Sequence, residues 1–217
     1  MDDQTRRAAM QVAWHQLLRP FDPAPQLAGQ SFADLAAHYQ ADGRFYHTLE
    51  HIDNVLRMVE RLSRYAQNLV AIQLAAWFHD VIYDPGAADN EEKSATYAIR
   101  TLADLNVPES TTASVHQLIL ATKHHVAAAS DIDAHILLDA DLATLAANWE
   151  QFDHYSQAIR QEYAQVPDPA YQQARVRFLQ QFLQRPRIFH TDQMFMALEQ
   201  RARRNIEREI TNLMSRE

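Results

Sequence analysis

The chain has no cysteine and only three glycines among its 217 residues. Without cysteine it can form no disulfide scaffold, iron–sulfur cluster, zinc ribbon or thiol nucleophile. The glycines, Gly29, Gly43 and Gly86, stand too far apart to build a Walker loop or a GxGxxG phosphate cradle. These absences exclude nucleotide binding of those two kinds and any thiolate metal site.

The chain also lacks a net positive charge and a long apolar run. Its formal net charge is −8, whereas a protein that binds duplex nucleic acid needs a field of Lys and Arg against the phosphates. No run of uncharged apolar residues approaches the roughly 18 that a membrane helix needs, and the N-terminal segment has no apolar signal core. We therefore expect a soluble, cytoplasmic protein that binds neither a membrane nor duplex nucleic acid.

Helix-forming residues are abundant, and apolar side chains recur at spacings of three and four residues. The pattern predicts an all-α, single-domain helical bundle. Ser31 is expected to cap the second helix, and the helix over 69–81, apolar on nearly all sides, is expected at the centre. The predicted helices cover residues 6–18, 31–39, 48–65, 69–81, 90–105, 109–124, a short stretch through 136–138, 149–165, 170–183 and 192–214.

Four clusters of metal-binding side chains interrupt this apolar pattern. His47 and His51 are four residues apart and share a helical face, although two half-exposed histidines at a helix start are common. His79 and Asp80 stand at the end of the most apolar helix, where burying such a pair costs on the order of several kcal/mol unless it is bonded or binds an ion. This second cluster is the one that an ordinary helix end explains least well.

The other two clusters are Asp139 with Asp141, and His124 with His125. A helix cap explains one of the two aspartates but not both, and cations at a helix C-terminus are ordinary. Together, a histidine, a His-Asp pair and an aspartate on three buried helices form a set of metal ligands for which a core has little other use.

The side chains in this set restrict the identity of the ion. Mixed imidazole and carboxylate ligands suit one divalent transition metal ion, Mn²⁺, Fe²⁺, Ni²⁺, Co²⁺ or Zn²⁺, with Mg²⁺ less favoured and a second ion as the alternative. On an octahedral ion, two histidines and two carboxylates leave two positions for water and a substrate oxygen. Metal-assisted hydrolysis requires that arrangement.

Four ordered segments carry a resemblance to a known family. They are YHTLEHI at 46–52, His-Asp at 79–80, NEEKSA at 90–95 and DADL at 139–142. Their order resembles the HD-domain superfamily of metal-dependent phosphohydrolases, and within it a small bacterial group of predicted HD hydrolases with YHxLxHI, HD, NExxSA and DxDL segments. The segment RARRNIERE at 201–209 extends the similarity over most of the chain.

The resemblance implies one HD-type helical domain over 1–217, with a metal-binding core at about 44–145 and C-terminal helices at about 149–214 packing on it. It also implies one divalent cation, whose ligands would be His51, His79, Asp80 and Asp141.

Two of these ligands compete with a neighbour. His51 is preferred to His47 because the family's first histidine is usually followed four residues later by valine, but RFYHT at 44–48 also resembles the RxxH(S/T) form of other HD enzymes. Asp141 is preferred to Asp139 because it stands in an Ala-Asp pair before leucine. Asp139 would then orient a ligand from outside the metal's own shell.

The implied reaction is hydrolysis of a small phosphate ester, with a nucleotide as one candidate, by a metal-activated water. Asp80 or Glu91 would handle the proton, and His47 would lie beside the metal. The candidate contacts of the substrate phosphate are Arg44, Lys123, His124 and His125. His124 and His125 also stand where two-metal HD proteins supply further histidines.

Two other functions stay open. Some HD-fold proteins hold two iron ions and oxidise a small substrate, and the extra histidines permit this. The second alternative is a non-catalytic module that senses a nucleotide or only holds a metal.

The last predicted helix carries arginines that alternate with glutamates, a pattern that does not favour RNA binding. Its apolar residues are expected to pack on the core or on a second copy of the chain, as in a homodimer.

Overall fold

The computed structural model describes residues 2–215, and within them the chain is all-α, with ten α-helices and no strand. The all-α prediction is confirmed. The helices are α1 (Asp3–Leu18), α2 (Pro25–Tyr39), α3 (Leu49–Leu62), α4 (Leu69–Phe78), α5 (Asn90–Asp104), α6 (Glu109–Thr122), α7 (Ile132–Asp141), α8 (Trp149–Glu162), α9 (Asp168–Leu183) and α10 (Asp192–Met214). Short 3-10 helices follow α1, α3 and α7 at Arg19–Phe21, Ser63–Tyr65 and Leu142–Ala146.

The chain divides into two compact units, Met1–Ala140 and Asp141–Glu217. The first contains α1 to α6 and all of α7 except its last residue, and the second contains α8 to α10. The prediction of one domain over 1–217 stays a prediction, and residues 1, 216 and 217 of that range lie outside the described residues.

Several predicted helix ends are wrong. α1 begins three residues before the predicted start, and α3 and α8 each end three residues before the predicted end. The ends of α2 and α4 concern the predicted cap and the candidate site. The second helix begins at Pro25, whose fixed φ suits the first helical turn. Ser31 is therefore not a cap but a buried residue inside α2, where its hydroxyl donates to the Ala28 carbonyl and accepts from the Trp14 indole. α4 ends at Phe78, three residues before the end of the apolar run.

The first unit is built around α4. Seven of its ten residues are buried, among them Trp77 and Phe78. Trp14 of α1 packs edge-to-face on both rings, at centroid distances of 5.3 and 5.8 Å, a geometry that adds to the hydrophobic gain of burial. The central position predicted for this helix is confirmed, and it places the residue after Phe78 next to the core.

The second unit is tied together by buried charged and polar groups. Arg175 of α9 pairs with Glu209 of α10 at 2.9 Å, with both side chains almost fully buried. One turn earlier in α10, Asn205 donates to the carbonyls of Leu145 and Ala147, at the end of the 3-10 helix.

None of the described helices combines the length and the apolar composition that crossing a membrane requires.

Candidate metal centre

Three helices bring four metal-binding side chains together. His51 lies in the first turn of α3, His79 follows the last residue of α4 with Asp80 directly after it, and Asp141 is the last residue of α7. One ligand atom from each lies within 4.8 Å of those of the other three, and the two histidines are buried while the two aspartates are half-buried. This cluster can hold a metal ion.

The backbone of α4 fixes which nitrogen of His79 faces the cluster. Its Nδ1 lies 3.0 Å from the Ala76 carbonyl, and because a carbonyl only accepts, Nδ1 carries the proton and donates. In neutral His79, Nε2 then presents a lone pair, and this atom lies 3.3 Å from Nε2 of His51 and 3.0 Å from Oδ2 of Asp80. A lone pair facing a carboxylate at that distance requires a cation between them, either a proton or a metal ion.

Asp80 is held in its ionised form by the same neighbours. Burial by itself raises the pKa of Asp80. When the neighbouring imidazoles carry protons, the charges of His79 and His47 and hydrogen bonds from His51 and His79 hold that pKa well below its usual value. Asp80 therefore offers an anionic oxygen at neutral pH.

The spacing of these donors fits a transition metal ion. Ligand atoms about 2.1 Å from one ion stand roughly 3 Å apart at neighbouring positions. The distances among His51 Nε2, His79 Nε2 and Asp80 Oδ2 are 3.0, 3.3 and 3.5 Å. The donors, two imidazoles and two carboxylates, suit the divalent ions that the sequence indicates.

The two neighbours that competed for a ligand position lie close by. His47 has its Nε2 4.0 Å from Oδ2 of Asp80, and its ring stacks on Tyr83 with centroids 4.1 Å apart. Asp139 is fully buried inside α7. The structure thus brings His51 and Asp141 into the cluster, and places His47 beside it.

Arg44, a candidate phosphate contact, donates to backbone carbonyls in this structure. Its Nη1 donates to the carbonyls of His47 and Asp80, and its Nη2 donates to that of Val81. The guanidinium lies next to the backbone of the His-Asp pair, and its contact with a substrate phosphate stays a prediction.

The remaining candidates lie at the facing ends of α5 and α6. Lys123 pairs with Glu92, and that hydrogen bond, with the charges of Glu92 and Glu91, raises the pKa of Lys123. Glu91 is half-buried in the first turn of α5. His124 and His125 follow α6, His125 with a left-handed φ of 49°. The substrate and proton-transfer roles of these residues stay predictions.

Two residues near the centre carried no assigned role in the sequence. Tyr83, stacked on His47, gives no sequence signal beyond its place after the His-Asp pair. Ser94 is part of the NEEKSA segment, and its hydroxyl accepts from the Ile82 amide and donates to the Ile82 carbonyl. That segment therefore holds the backbone that follows the His-Asp pair.

Comparison of the chain with models of protein families, with curated proteins and with solved structures found no match.

Proposed function

We propose that the protein is a metal-dependent hydrolase of small phosphate esters, with His51, His79, Asp80 and Asp141 as ligands of one divalent cation. The observation that carries the proposal is the convergence of these four ligand atoms within 4.8 Å at the ends of three helices. The resemblance to the HD-domain superfamily supplies the reaction class. Mn²⁺, Fe²⁺, Co²⁺, Ni²⁺ or Zn²⁺ suits the donors better than Mg²⁺, which prefers oxygen ligands and retained waters.

When bound, a divalent ion supplies a water of lowered pKa and polarises a phosphoryl oxygen. His47 is the proposed proton-transfer group, because imidazole serves most often in that role and its Nε2 lies 4.0 Å from Asp80. Asp80 or Glu91 is the carboxylate alternative as acceptor for the proton of the water.

Aromatic side chains around the centre support a nucleotide as the first substrate class to test. The ring of Tyr46 lies 4.8 Å from that of His51, and the side chain of Phe45 is 51% exposed two residues before His47. Exposed aromatic rings stack on nucleobases without strong sequence preference.

Metal content is the direct test. The protein is stripped with a chelator, reloaded with each ion in turn, and analysed by plasma mass spectrometry. We expect one ion per chain in the wild type and loss of the ion in His79→Ala and Asp80→Ala. His15→Ala, which removes an exposed histidine of α1, is the matched control and is expected to keep the ion.

Hydrolysis is then measured with each metal-loaded form on a panel of nucleotides, sugar phosphates and other phosphate esters. Unchanged metal content and unchanged hydrolysis in both His79→Ala and Asp80→Ala contradict the proposal. No hydrolysis of any ester by the loaded wild type favours a non-catalytic module, and two irons per chain with an iron absorption spectrum favour an oxidising enzyme.

A further inference from the structure

The backbone that follows the His-Asp pair is held from two directions. We define the dyad turn as residues 79–84, the segment between α4 and the loop that leads to α5. On one side, the Ser94 hydroxyl makes two hydrogen bonds to the backbone of Ile82, at 3.1 and 3.2 Å. On the other side lies the guanidinium of Arg44.

Arg44 joins two segments that carry metal ligands. Nη1 donates to the carbonyls of His47 at 3.0 Å and Asp80 at 2.7 Å, and Nη2 donates to the Val81 carbonyl at 2.8 Å. The first acceptor belongs to the segment that enters α3, the helix of His51. The other two belong to the dyad turn, so one side chain bridges backbone groups more than 30 residues apart in the sequence.

The guanidinium is also fixed by two aromatic rings. Its Cζ lies 5.1 Å from the ring centroid of Tyr39 and 5.5 Å from that of Tyr83, distances at which a cation is attracted to an aromatic face. Tyr39 is itself buried and donates to the Trp77 carbonyl. Arg44 is therefore oriented by the core on one side and by the dyad turn on the other.

We propose that Arg44 is a positioning residue that fixes the His-Asp pair relative to His51, rather than a contact of the substrate phosphate. The proposal rests on the proposed metal centre. A planar guanidinium can hold three carbonyls in a set geometry, whereas an ammonium cannot reproduce that fork. Since ligand atoms must lie within a few tenths of an ångström of their places around an ion, a loosened dyad turn weakens metal binding.

The first measurement needs no metal. Amide hydrogen exchange in the dyad turn is compared among the wild type, Arg44→Ala, Arg44→Lys and Arg57→Ala. Arg57 is the control because it is an exposed arginine of α3 that pairs with Asp53 of the same helix. We expect exchange at Val81 and Ile82 to be about tenfold faster or more in Arg44→Ala, intermediate in Arg44→Lys, and unchanged in Arg57→Ala.

The second measurement is the affinity for Co²⁺, with the visible spectrum as a signature of coordination geometry. We expect Arg44→Ala to lose roughly 10–100-fold in affinity, as changes outside the first ligand shell do, with an altered spectrum. Millimolar guanidinium is expected to restore part of both. If Arg44→Ala does not fold, Arg44→Lys is measured in its place.

Two results overturn the inference. One is that the amide exchange rates of the dyad turn are the same in Arg44→Ala as in Arg57→Ala. The other is a raised KM in Arg44→Ala with wild-type Co²⁺ affinity and spectrum, which assigns Arg44 to the substrate phosphate. A wild-type protein that binds no metal contradicts the proposed function instead, and the exchange comparison then still decides whether Arg44 holds the dyad turn.

Discussion

His47 and His51 are one helical turn apart in sequence, yet the fold gives them different surroundings. The Nε2 of His51 lies 3.3 Å from that of His79, whereas the His47 ring stacks on Tyr83 and approaches Asp80 at 4.0 Å. The structure therefore places His51 inside the candidate cluster and His47 beside it, a choice that the spacing of the two histidines alone left open.

This separation predicts different defects for the two histidines. His51→Ala removes a ligand and is expected to lower metal affinity on the order of 100-fold or more, since changes outside the ligand shell alone cost 10–100-fold. His47→Ala is expected to keep the metal and to lose roughly 10²–10⁴ in kcat, the usual contribution of a general acid or base. Calorimetry with Co²⁺ and steady-state kinetics measure the two quantities; loss of metal from His47→Ala would exchange the two assignments.

At the scale of helices, α4 and α7 are tied together at their N-terminal ends. The carboxylate of Asp133, in the first turn of α7, accepts from the amides of Gln67 and Asn68 at 2.7 and 2.9 Å, just before α4. Both helices have ten residues and thus equal lengths. The C-terminal ends of the same two helices carry the His-Asp pair and Asp141, whose ligand atoms lie together in the candidate centre.

Removing this tie is expected to affect both stability and the metal centre. Asp133→Ala removes the acceptor of two backbone amides. Water can replace the carboxylate at the exposed Gln67 amide, so the loss is expected to come mainly from the half-buried Asn68 amide, about 1 kcal/mol. We expect a lower free energy of unfolding and weaker Co²⁺ binding, measured by urea titration with and without the ion. Asp104→Ala, an exposed change at the end of α5, is the control, and equal behaviour of the two variants contradicts the argument.

The buried pair of Arg175 and Glu209 joins α9 to α10 in the second unit. Arg175→Met leaves the Glu209 charge buried without its partner, and such single changes cost about 3–5 kcal/mol. The double change Arg175→Met with Glu209→Leu removes both charges and is expected to recover most of that loss. Thermal or urea unfolding of the three proteins tests this; a double variant no more stable than Arg175→Met would show that the packing, not the stranded charge, sets the cost.

The sequence predicts helices better than helix ends. α10 begins and ends at the predicted residues, 192 and 214, and α5 ends one residue early, because apolar spacing and proline breaks act locally. α2 begins at Pro25 rather than Ser31, since tertiary contact with Trp14 takes the serine hydroxyl into the core. Apolar character alone also did not mark the end of α4, because Val81 is as buried as the helix before it.

For the molecule as a whole, the candidate site was predictable to the extent that polar residues interrupted apolar runs. His79 with Asp80 met that condition, and the resemblance selected His51 and Asp141 from pairs that composition could not separate. The backbone bonds of Arg44 were not predictable, because they join residues 36 and 37 positions apart and depend on how α3 and α4 pack.

Buried tyrosines in both units predict a loss of stability at alkaline pH. Burial raises the pKa of Tyr39 and Tyr155, and raises that of Tyr171 to about 12. The unfolded chain loses these protons near pH 10, so above pH 10 it binds fewer protons than the folded chain and the free energy of unfolding falls. This stability is complete below pH 10 and is lost as the pH rises through 12, about 2–3 kcal/mol of it from Tyr171.

Urea unfolding at pH 8 to 12 measures this slope. Tyr171→Phe is the matched variant, because the Tyr171 hydroxyl has no hydrogen-bond partner and its removal is expected to cost little at neutral pH. The variant is expected to lose less stability than the wild type between pH 10 and 12. If the free energy of unfolding falls equally with pH in the two proteins, the contribution assigned to Tyr171 is contradicted.

The edge-to-face contact of Trp14 and Trp77 has a practical consequence for spectroscopy. Trp77 stands two residues before His79, so an open-shell ion such as Co²⁺ at the candidate centre is expected to quench its fluorescence. The third tryptophan, Trp149, belongs to the second unit and lies against the Arg208 guanidinium at 3.7 Å. In a Trp149→Phe variant the emission comes from the first unit alone, and the chain carries its own optical reporter of metal occupancy.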